Sequence, residues 1–239
     1  MTHLSNDQIR ELGKALIAGY QKDYGILFSR CVDIIELAEH LGLTVVFEKF
    51  AEEDQNKIGF LSDGNTPLKV WRNKRIVPVR FPIRTIVIEE YLKRESESGR
   101  CRFTIAHEIA HYVIGRYIQL PYIPKPEYHR IYDDERHDYG KELLLQLTVV
   151  ENRADRLAAH LLMPEHIVSQ ALADFHKGEP IPMYGWWLFT PNDHHTIESM
   201  AAQLQVSFSA LKIQLNELKM ISRRPREEYT EAIRQEGWL

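Results

Sequence analysis

Apolar residues recur at helical spacing over most of the chain. Ile9, Leu12 and Leu16 lie three or four positions apart and predict an amphipathic helix over residues 7–24. The same spacing predicts further helices, at 31–41, 99–115, 141–162 and 165–177. Pro164 comes shortly after the helix predicted over 141–162, as expected of a residue that ends a helix.

A second pattern, rich in β-branched and aromatic residues, occupies 43–50 and 57–91. Its apolar runs IGFL, LKVW and TIVIEE are typical of strands, and SDGN at 62–65 is typical of a turn. Pro78 and Pro82 lack a backbone N–H, which favours an edge strand or an irregular connection at those positions. The pattern therefore predicts a small sheet that precedes the third helix.

Three stretches show neither pattern and are predicted to be loops. They are a polar segment at 93–100, a Pro- and Tyr-rich segment at 118–140 and a segment at 179–195. After them, residues 196–221 have the apolar spacing and central break of a helix–turn–helix. Because such units often bind DNA, the charge of this region matters.

The charge argues against direct DNA binding by the C-terminal helices. Residues 196–239 contain six Lys and Arg and six Glu, and the whole chain has a formal net charge of −4. Binding to phosphates depends on an excess of cations. We therefore expect these helices to have a structural role or to dock a partner protein.

The composition is that of a globular protein, since 44% of the 239 residues are hydrophobic and 27% are charged. The first residues lack the apolar segment of a secretory signal, and no run of about 18 apolar residues predicts a transmembrane helix. Cys31 and Cys101 form no CxxC pair and are expected to be reduced. We therefore expect a cytoplasmic protein without a membrane partner.

The sequence FTIAHEIAHYVIG contains the motif H-E-x-x-H, formed by His107, Glu108 and His111. Residues four apart lie on one face of a helix, so both imidazoles can bind one divalent ion. The carboxylate of Glu108 then lies beside the ion, where it can accept a proton from a water molecule that the ion acidifies. The alternative is a helix with two partly buried histidines and a surface glutamate.

A second helix supplies two carboxylates that favour the metal site over this alternative. Glu151 and Asp155 form E-x-x-x-D and share one face of the helix predicted over 141–162. Catalytic zinc sites often combine two histidines with one glutamate, and an outer carboxylate often orients a ligating imidazole. Glu151 is therefore the expected third ligand, and Asp155 is expected to lie behind a histidine.

Other residues compete for a place in this site. The Pro- and Tyr-rich segment contains potential ligands, which are His129, Asp133, Asp134, His137 and Asp138. His160 follows Glu151 by nine positions and should point away from the site. His194 and His195 are expected to precede and cap a helix rather than to bind the ion. Two tyrosines could stabilise an oxyanion, although packing is their commoner role: Tyr112 and Tyr139.

The segments RCRFTIAHEIAHYVIGR and ENRADRLAAHLLMP together resemble the ImmA/IrrE family of bacterial and phage metallopeptidases. The resemblance covers about residues 31–166. It implies an α+β fold with a zincin-like metallopeptidase core, made of a small sheet and the H-E-x-x-H helix, and a helical C-terminal extension. The expected regions are an N-terminal helix, the core and the C-terminal helices, at 1–30, 31–165 and 166–239.

The resemblance also implies a function for each motif residue. His107, His111 and Glu151 match the family's metal ligands. Glu108 matches the general base, and Asp155 matches a position that is Asn or Asp in the family. The expected cofactor is Zn²⁺, with Mn²⁺ or Fe²⁺ as alternatives, because two histidines and a carboxylate suit all three ions.

The resemblance implies a metal-dependent endopeptidase that cleaves an intracellular regulator, specifically a helix–turn–helix transcriptional repressor of a mobile element or a stress response. One alternative is a non-catalytic, metal-containing regulator that binds a repressor or DNA. Another is a general peptidase that acts on short peptides. The sequence leaves these alternatives open.

Overall fold

The computed structural model describes residues 4–26, 29–54, 57–117 and 141–238, so the loop predicted at 118–140 lies outside it. The chain forms two compact units. The first consists of Met1–Gly25 and Asp33–Leu161, and the second consists of Ile26–Val32 and Leu162–Leu239. The three regions expected from the sequence remain a prediction.

The helices of the first unit follow the predicted segments closely. They are α1 (Asn6–Asp23), α2 (Ile34–His40), α3 (Ser98–Tyr117) and α4 (Lys141–Leu162). Ser5 starts α1 with a capping box, in which its hydroxyl accepts from Gln8 N–H and the Gln8 side chain accepts from Ser5 N–H. Short 3-10 turns at Glu90–Lys93 and Glu95–Glu97 lead into α3, so the segment predicted as a polar loop is partly helical.

The strands of the first unit are β1 (Thr44–Glu48), β2 (Gly59–Leu61), β3 (Leu68–Arg72), β4 (Arg75–Val79) and β5 (Thr85–Glu89). They form a three-stranded sheet in the order β1-β5-β2 and a β3–β4 hairpin. The strand β5 runs parallel to β1 and antiparallel to β2. Apolar side chains from the sheet and the hairpin form one buried cluster that includes Phe60, Leu68, Val70, Phe81 and Val87.

The second unit contains α5 (Glu165–His176), β6 (Ile181–Tyr184), α6 (Pro191–Leu204), α7 (Phe208–Glu217), β7 (Ile221–Arg224) and α8 (Tyr229–Gln235). Helices α6 and α7 form the predicted helix–turn–helix segment. The strands β6 and β7 pair in parallel, which corrects the prediction of a loop over all of 179–195. These strands are four residues long and pair across some 40 residues, so local sequence patterns give little sign of them.

The protein thus has a mixed α+β fold with a largely helical C-terminal part. Both cysteines are free thiols, and Cys101 is buried. Within the described ranges, no helix combines the length and the apolar character that a membrane crossing requires.

Candidate metal centre

Helix α3 presents one face to the sheet and another to α4. Ile105, Ala106, Ile109 and Ala110 are almost completely buried, and α3 packs against β2 and β5. The two alanines have short side chains, which allow the helix axis to lie close to the strands. His107 and His111, on the adjacent stripe of the helix, are therefore held by a rigid element.

Helix α4 brings Glu151 to the two histidines. Oε2 of Glu151 lies 3.2 Å from Nε2 of His107, and its Oε1 lies 3.4 Å from Nε2 of His111. The two Nε2 atoms are 2.8 Å apart. The predicted ligands, which come from two separate helices, therefore converge on one point.

Asp155, one turn after Glu151, reaches the other nitrogen of the same imidazole. Its Oδ1 lies 2.9 Å from Nδ1 of His107. A carboxylate at this distance accepts the Nδ1–H, so that when the ring is neutral its lone pair is on Nε2, the nitrogen nearest Glu151 and His111. Asp155 thus lies behind His107, on the side away from Glu151 and His111.

This cluster suits a divalent cation. The donor atoms of His107, His111 and Glu151 all lie within 4.8 Å of one another. A tetrahedral ion bound at 2.0–2.1 Å needs donors separated by about 3.4 Å, which is close to the distances between Glu151 and the two imidazoles. Two imidazoles and one carboxylate also form a common zinc donor set, so these residues fit such an ion.

The electrostatics of the cluster favour positive charge at this point. Burial lowers the pKa of His107, but hydrogen bonds to Asp155 and Glu151 outweigh burial and raise the pKa to about 10. Burial raises the pKa of Glu151, but hydrogen bonds from His107 and His111 outweigh it and hold the pKa far below its usual range. A metal ion could supply the charge that protons on the imidazoles otherwise provide.

Glu108 lies on the sheet side of the site. Its side chain is 3% exposed, and burial is the main cause of the raised pKa of its carboxyl group. The backbone N–H of Leu61 donates a hydrogen bond to the carboxylate. Oε2 has no hydrogen-bond partner among the described residues. A buried carboxylate with one free oxygen can accept a proton from a small molecule beside it.

Strand β2 leaves space for this carboxylate only because residue 59 is glycine. A Cβ at Gly59 would lie 2.7 Å from Oε1 of Glu108 and 2.7 Å from Cγ2 of Thr104. Neither Gly59 nor Leu61 is among the site residues predicted from the sequence. A glycine inside a strand often marks a close approach by another group, so the sequence IGFL did contain a signal.

The other candidate ligands named from the sequence either lie outside the donor cluster or fall outside the described residues. His160 packs against α1, since a Cβ added at Gly13 would lie 2.9 Å from the Cβ of His160. His160 is absent from the ligand cluster. His194 and His195 lie inside the first turns of α6, which begins at Pro191 and is capped by Thr190, so their predicted capping role is wrong. The remaining alternatives lie outside the described residues: His129, Asp133, Asp134, His137, Asp138 and Tyr139.

Tyr112 follows the second histidine on α3. Its hydroxyl is buried without a hydrogen-bond partner among the described residues, and Arg116 lies over its ring with the guanidinium carbon 4.5 Å from the ring centroid. An oxyanion-binding role for this tyrosine stays an alternative to packing, which the sequence favours.

Comparison with known proteins gives an independent result. A model of the peptidase family described as the IrrE N-terminal-like domain matches residues 38–216. The match covers three quarters of the chain and includes both motif helices. No curated protein matches the chain.

Proposed function

Because the chain belongs to the family of IrrE N-terminal-like peptidase domains, we propose that it is a zinc-dependent endopeptidase that cleaves a helix–turn–helix transcriptional repressor. The observation that carries the proposal is the arrangement of four side chains. His107, His111 and Glu151 surround one point with their donor atoms, and the buried carboxylate of Glu108 follows directly after the first ligand.

His107, His111 and Glu151 would hold the ion, and Mn²⁺ or Fe²⁺ could take the place of Zn²⁺. When bound, the ion supplies a Lewis acid that polarises the scissile carbonyl and acidifies a water molecule. Catalytic zinc sites commonly combine three protein donors with a water molecule, and these three side chains would supply such a donor set.

Glu108 would act as the general base and then as the general acid. Burial raises the pKa of its carboxyl group, which makes the carboxylate a stronger proton acceptor than a solvated glutamate. It takes a proton from the attacking water and returns it to the leaving amine. The hydrogen bond from Leu61 N–H holds one part of the carboxylate while Oε2 remains available for the proton.

Asp155 would act through His107. By accepting the Nδ1–H, it fixes the tautomer in which Nε2 carries a lone pair, and it sets the orientation of the ring. It is therefore a positioning residue. An Asn at this position could accept the same hydrogen bond through its side-chain oxygen.

The edge of β2 is suited to hold an extended peptide next to Glu108. Ser62 N–H donates to Thr85 and the carbonyl of Ile58 accepts from Glu89, so even-numbered residues of this strand face β5. The backbone groups of Gly59 and the carbonyl of Leu61 therefore face the opposite side, where Leu61 N–H already donates to Glu108. A substrate strand that pairs there would lie beside the general base.

The proposed substrate class comes from the resemblance to ImmA/IrrE proteins, and it implies a cytoplasmic site of action because DNA-bound repressors are found there. The helix pair α6 and α7 offers a surface on which such a partner could dock. Weak activity towards generic unfolded proteins is expected, because an indiscriminate peptidase would damage its own cell.

The test compares the wild-type protein with Glu108→Gln. The metal-loaded proteins are incubated with a candidate repressor and with casein, and fragments are mapped by mass spectrometry. The wild type should cut the repressor selectively. The variant should retain its metal and lose hydrolysis by a factor of about 10²–10⁴, because an amide cannot accept the proton.

Two results would contradict this proposal in different ways. Equal cleavage of casein and of the repressor would indicate a general peptidase. Release of the repressor from DNA by Glu108→Gln, without a cut, would indicate a regulator that acts by binding alone.

A further inference from the structure

The β3–β4 hairpin and the segment that follows it carry a concentrated positive charge. Residues 68–84, named the basic ribbon here, contain six cations and no acidic residue: Lys69, Arg72, Lys74, Arg75, Arg80 and Arg84. The chain has a formal net charge of −4, so all other residues together carry −10. A strongly basic element in an otherwise acidic protein indicates an anionic partner.

The register of the hairpin assigns its side chains to two faces. Leu68 pairs with Val79 and Val70 with Val77, and three of these side chains, Leu68, Val70 and Val79, join the buried cluster of the first unit. Trp71 pairs with Ile76 on the opposite face, where 42% of the tryptophan and 51% of the isoleucine are exposed. Leu68, Val70 and Val79 therefore anchor one face of the ribbon, and Trp71 and Ile76 are free on the other. The alternation places Arg75 on the anchored face, but at the tip, where it is exposed.

The tip of the ribbon holds cations in unfavourable positions. Arg72 lies directly opposite Arg75, and like charges in this position destabilise a hairpin. Lys74 has φ of 62° in a two-residue turn, where glycine is the favoured residue. Neither feature improves the stability of the fold, and a bound anion would relieve the repulsion between the arginines.

Neighbouring acidic groups neutralise two of the six cations of the ribbon. Arg72 forms an ion pair with Glu48, and Lys69 Nζ lies 3.6 Å from Glu53. Lys74 and Arg75 have no acidic partner within the described part of the chain, and both are exposed. Lys74 and Arg75, at the tip of the ribbon, are thus available.

We propose that the basic ribbon binds the phosphate backbone of duplex DNA. The available cations Lys74 and Arg75 are adjacent and exposed, and arginine pairs with phosphate through two N–H groups. A two-stranded ribbon also fits the major groove, which is about 12 Å wide. There the exposed Trp71 and Ile76 can contact sugars and base edges.

An acidic protein segment is a poorer match for this surface. Extended peptides usually bind by adding a strand to a free sheet edge. The free edge here belongs to β4, and Pro78 in its centre has no N–H to donate. Binding through side-chain charges alone suits a polyphosphate backbone better than it suits a peptide.

DNA binding by the ribbon goes beyond the proposed cleavage and does not depend on it. If both hold, the ribbon would deliver the peptidase to repressor molecules that are bound at their operators. The zero net charge of residues 196–239 does not argue against DNA binding by the ribbon, because the cations of the ribbon lie at residues 68–84.

The experiment measures binding of the full-length protein to a fluorescent duplex of about 30 base pairs and arbitrary sequence, by anisotropy over a range of salt concentrations. The wild type should bind with an affinity that falls steeply with salt. Lys74→Gln/Arg75→Gln removes two phosphate contacts, so the log–log slope should become shallower by about 1.8 and the affinity at 0.1 M salt should fall about 60-fold.

The matched control is Arg223→Gln/Arg224→Gln, which makes the same change in net charge on β7 next to the helix–turn–helix segment. This variant should bind DNA like the wild type. Equal weakening of both double variants, or a larger loss in the control, would overturn the assignment to the ribbon.

Competition separates DNA from an acidic protein partner. A polyglutamate peptide that displaces the wild type as effectively as unlabelled duplex would overturn the proposal in favour of an acidic protein. Absence of salt-sensitive binding by the wild type would also overturn it. Circular dichroism and metal content check that each variant is folded. If Lys74→Gln/Arg75→Gln misfolds, the single variant Arg75→Gln replaces it, and its log–log slope should become shallower by about 0.9.

Discussion

Gly59 and Glu108 are in such close contact that a single added methyl group would collide with the carboxylate. A Cβ at residue 59 would lie 2.7 Å from Oε1. The carboxylate is at the end of a flexible side chain and can rotate away, whereas the equally close Cγ2 of Thr104 would push β2 and α3 slightly apart. Both changes displace the carboxylate from its position beside the strand. The position of the proposed general base is therefore set by the absence of a side chain on β2.

Gly59→Ala should accordingly reduce kcat while the protein stays folded and keeps its metal. A displacement of about 1 Å at a catalytic group can lower the rate on the order of 100-fold. The control is Gly115→Ala on α3, where an added Cβ meets no atom within 4 Å. This control should have normal activity and should be more stable by up to about 1 kcal/mol, because alanine favours the helix. Equal activity in the two variants would argue against a positioning role for Gly59.

His111→Ala and Glu151→Ala should each lose most of the bound metal, because two donors compete poorly with water for a divalent ion. Elemental analysis after dialysis measures the metal content. The matched control is His195→Ala, whose side chain is 81% exposed and is absent from the donor cluster. Full metal content in Glu151→Ala would move the search for a third ligand to His129, His137 and Asp138.

Asp155→Ala should weaken metal binding by about 10–100-fold, because His107 loses the group that fixes its tautomer and orientation. Asp155→Asn retains an oxygen that can accept the Nδ1–H, so it should restore affinity to within a few-fold of the wild type. Competition with a chelator of known affinity measures both values. If Asn binds metal as poorly as Ala does, the charge of Asp155 rather than its hydrogen bond is the important property.

Metal uptake should release a proton. The pKa of His107 is raised to about 10, so the imidazole of the metal-free protein is protonated below that pH, whereas only the neutral ring can bind an ion. Each ion bound near pH 7 should therefore displace about one proton from His107, and affinity should rise about tenfold per pH unit. Calorimetry in two buffers of different ionisation enthalpy measures the release. Affinity that is independent of pH between about 6 and 8 would contradict this expectation.

The sequence by itself determined the features that depend on local spacing. Residues four apart share a helix face whatever the rest of the chain does, so spacing alone is enough to pair His107 with His111 and Glu151 with Asp155. Pro164 marked the end of α4 for a similarly local reason, because a proline cannot continue a helix. The family resemblance, which rests on these same motifs, is confirmed by the match to residues 38–216.

Tertiary structure alone decided which of these local features meet. Glu151 lies 3.2 Å from His107 because two separate helices pack together, and no spacing in the sequence measures that distance. The contact of Gly59 with Glu108 likewise needs β2 to lie against α3, and the parallel pairing of β6 with β7 joins short segments far apart in the chain. Such contacts depend on burial and packing summed over the whole unit, whereas sequence patterns report only the preferences of neighbouring residues.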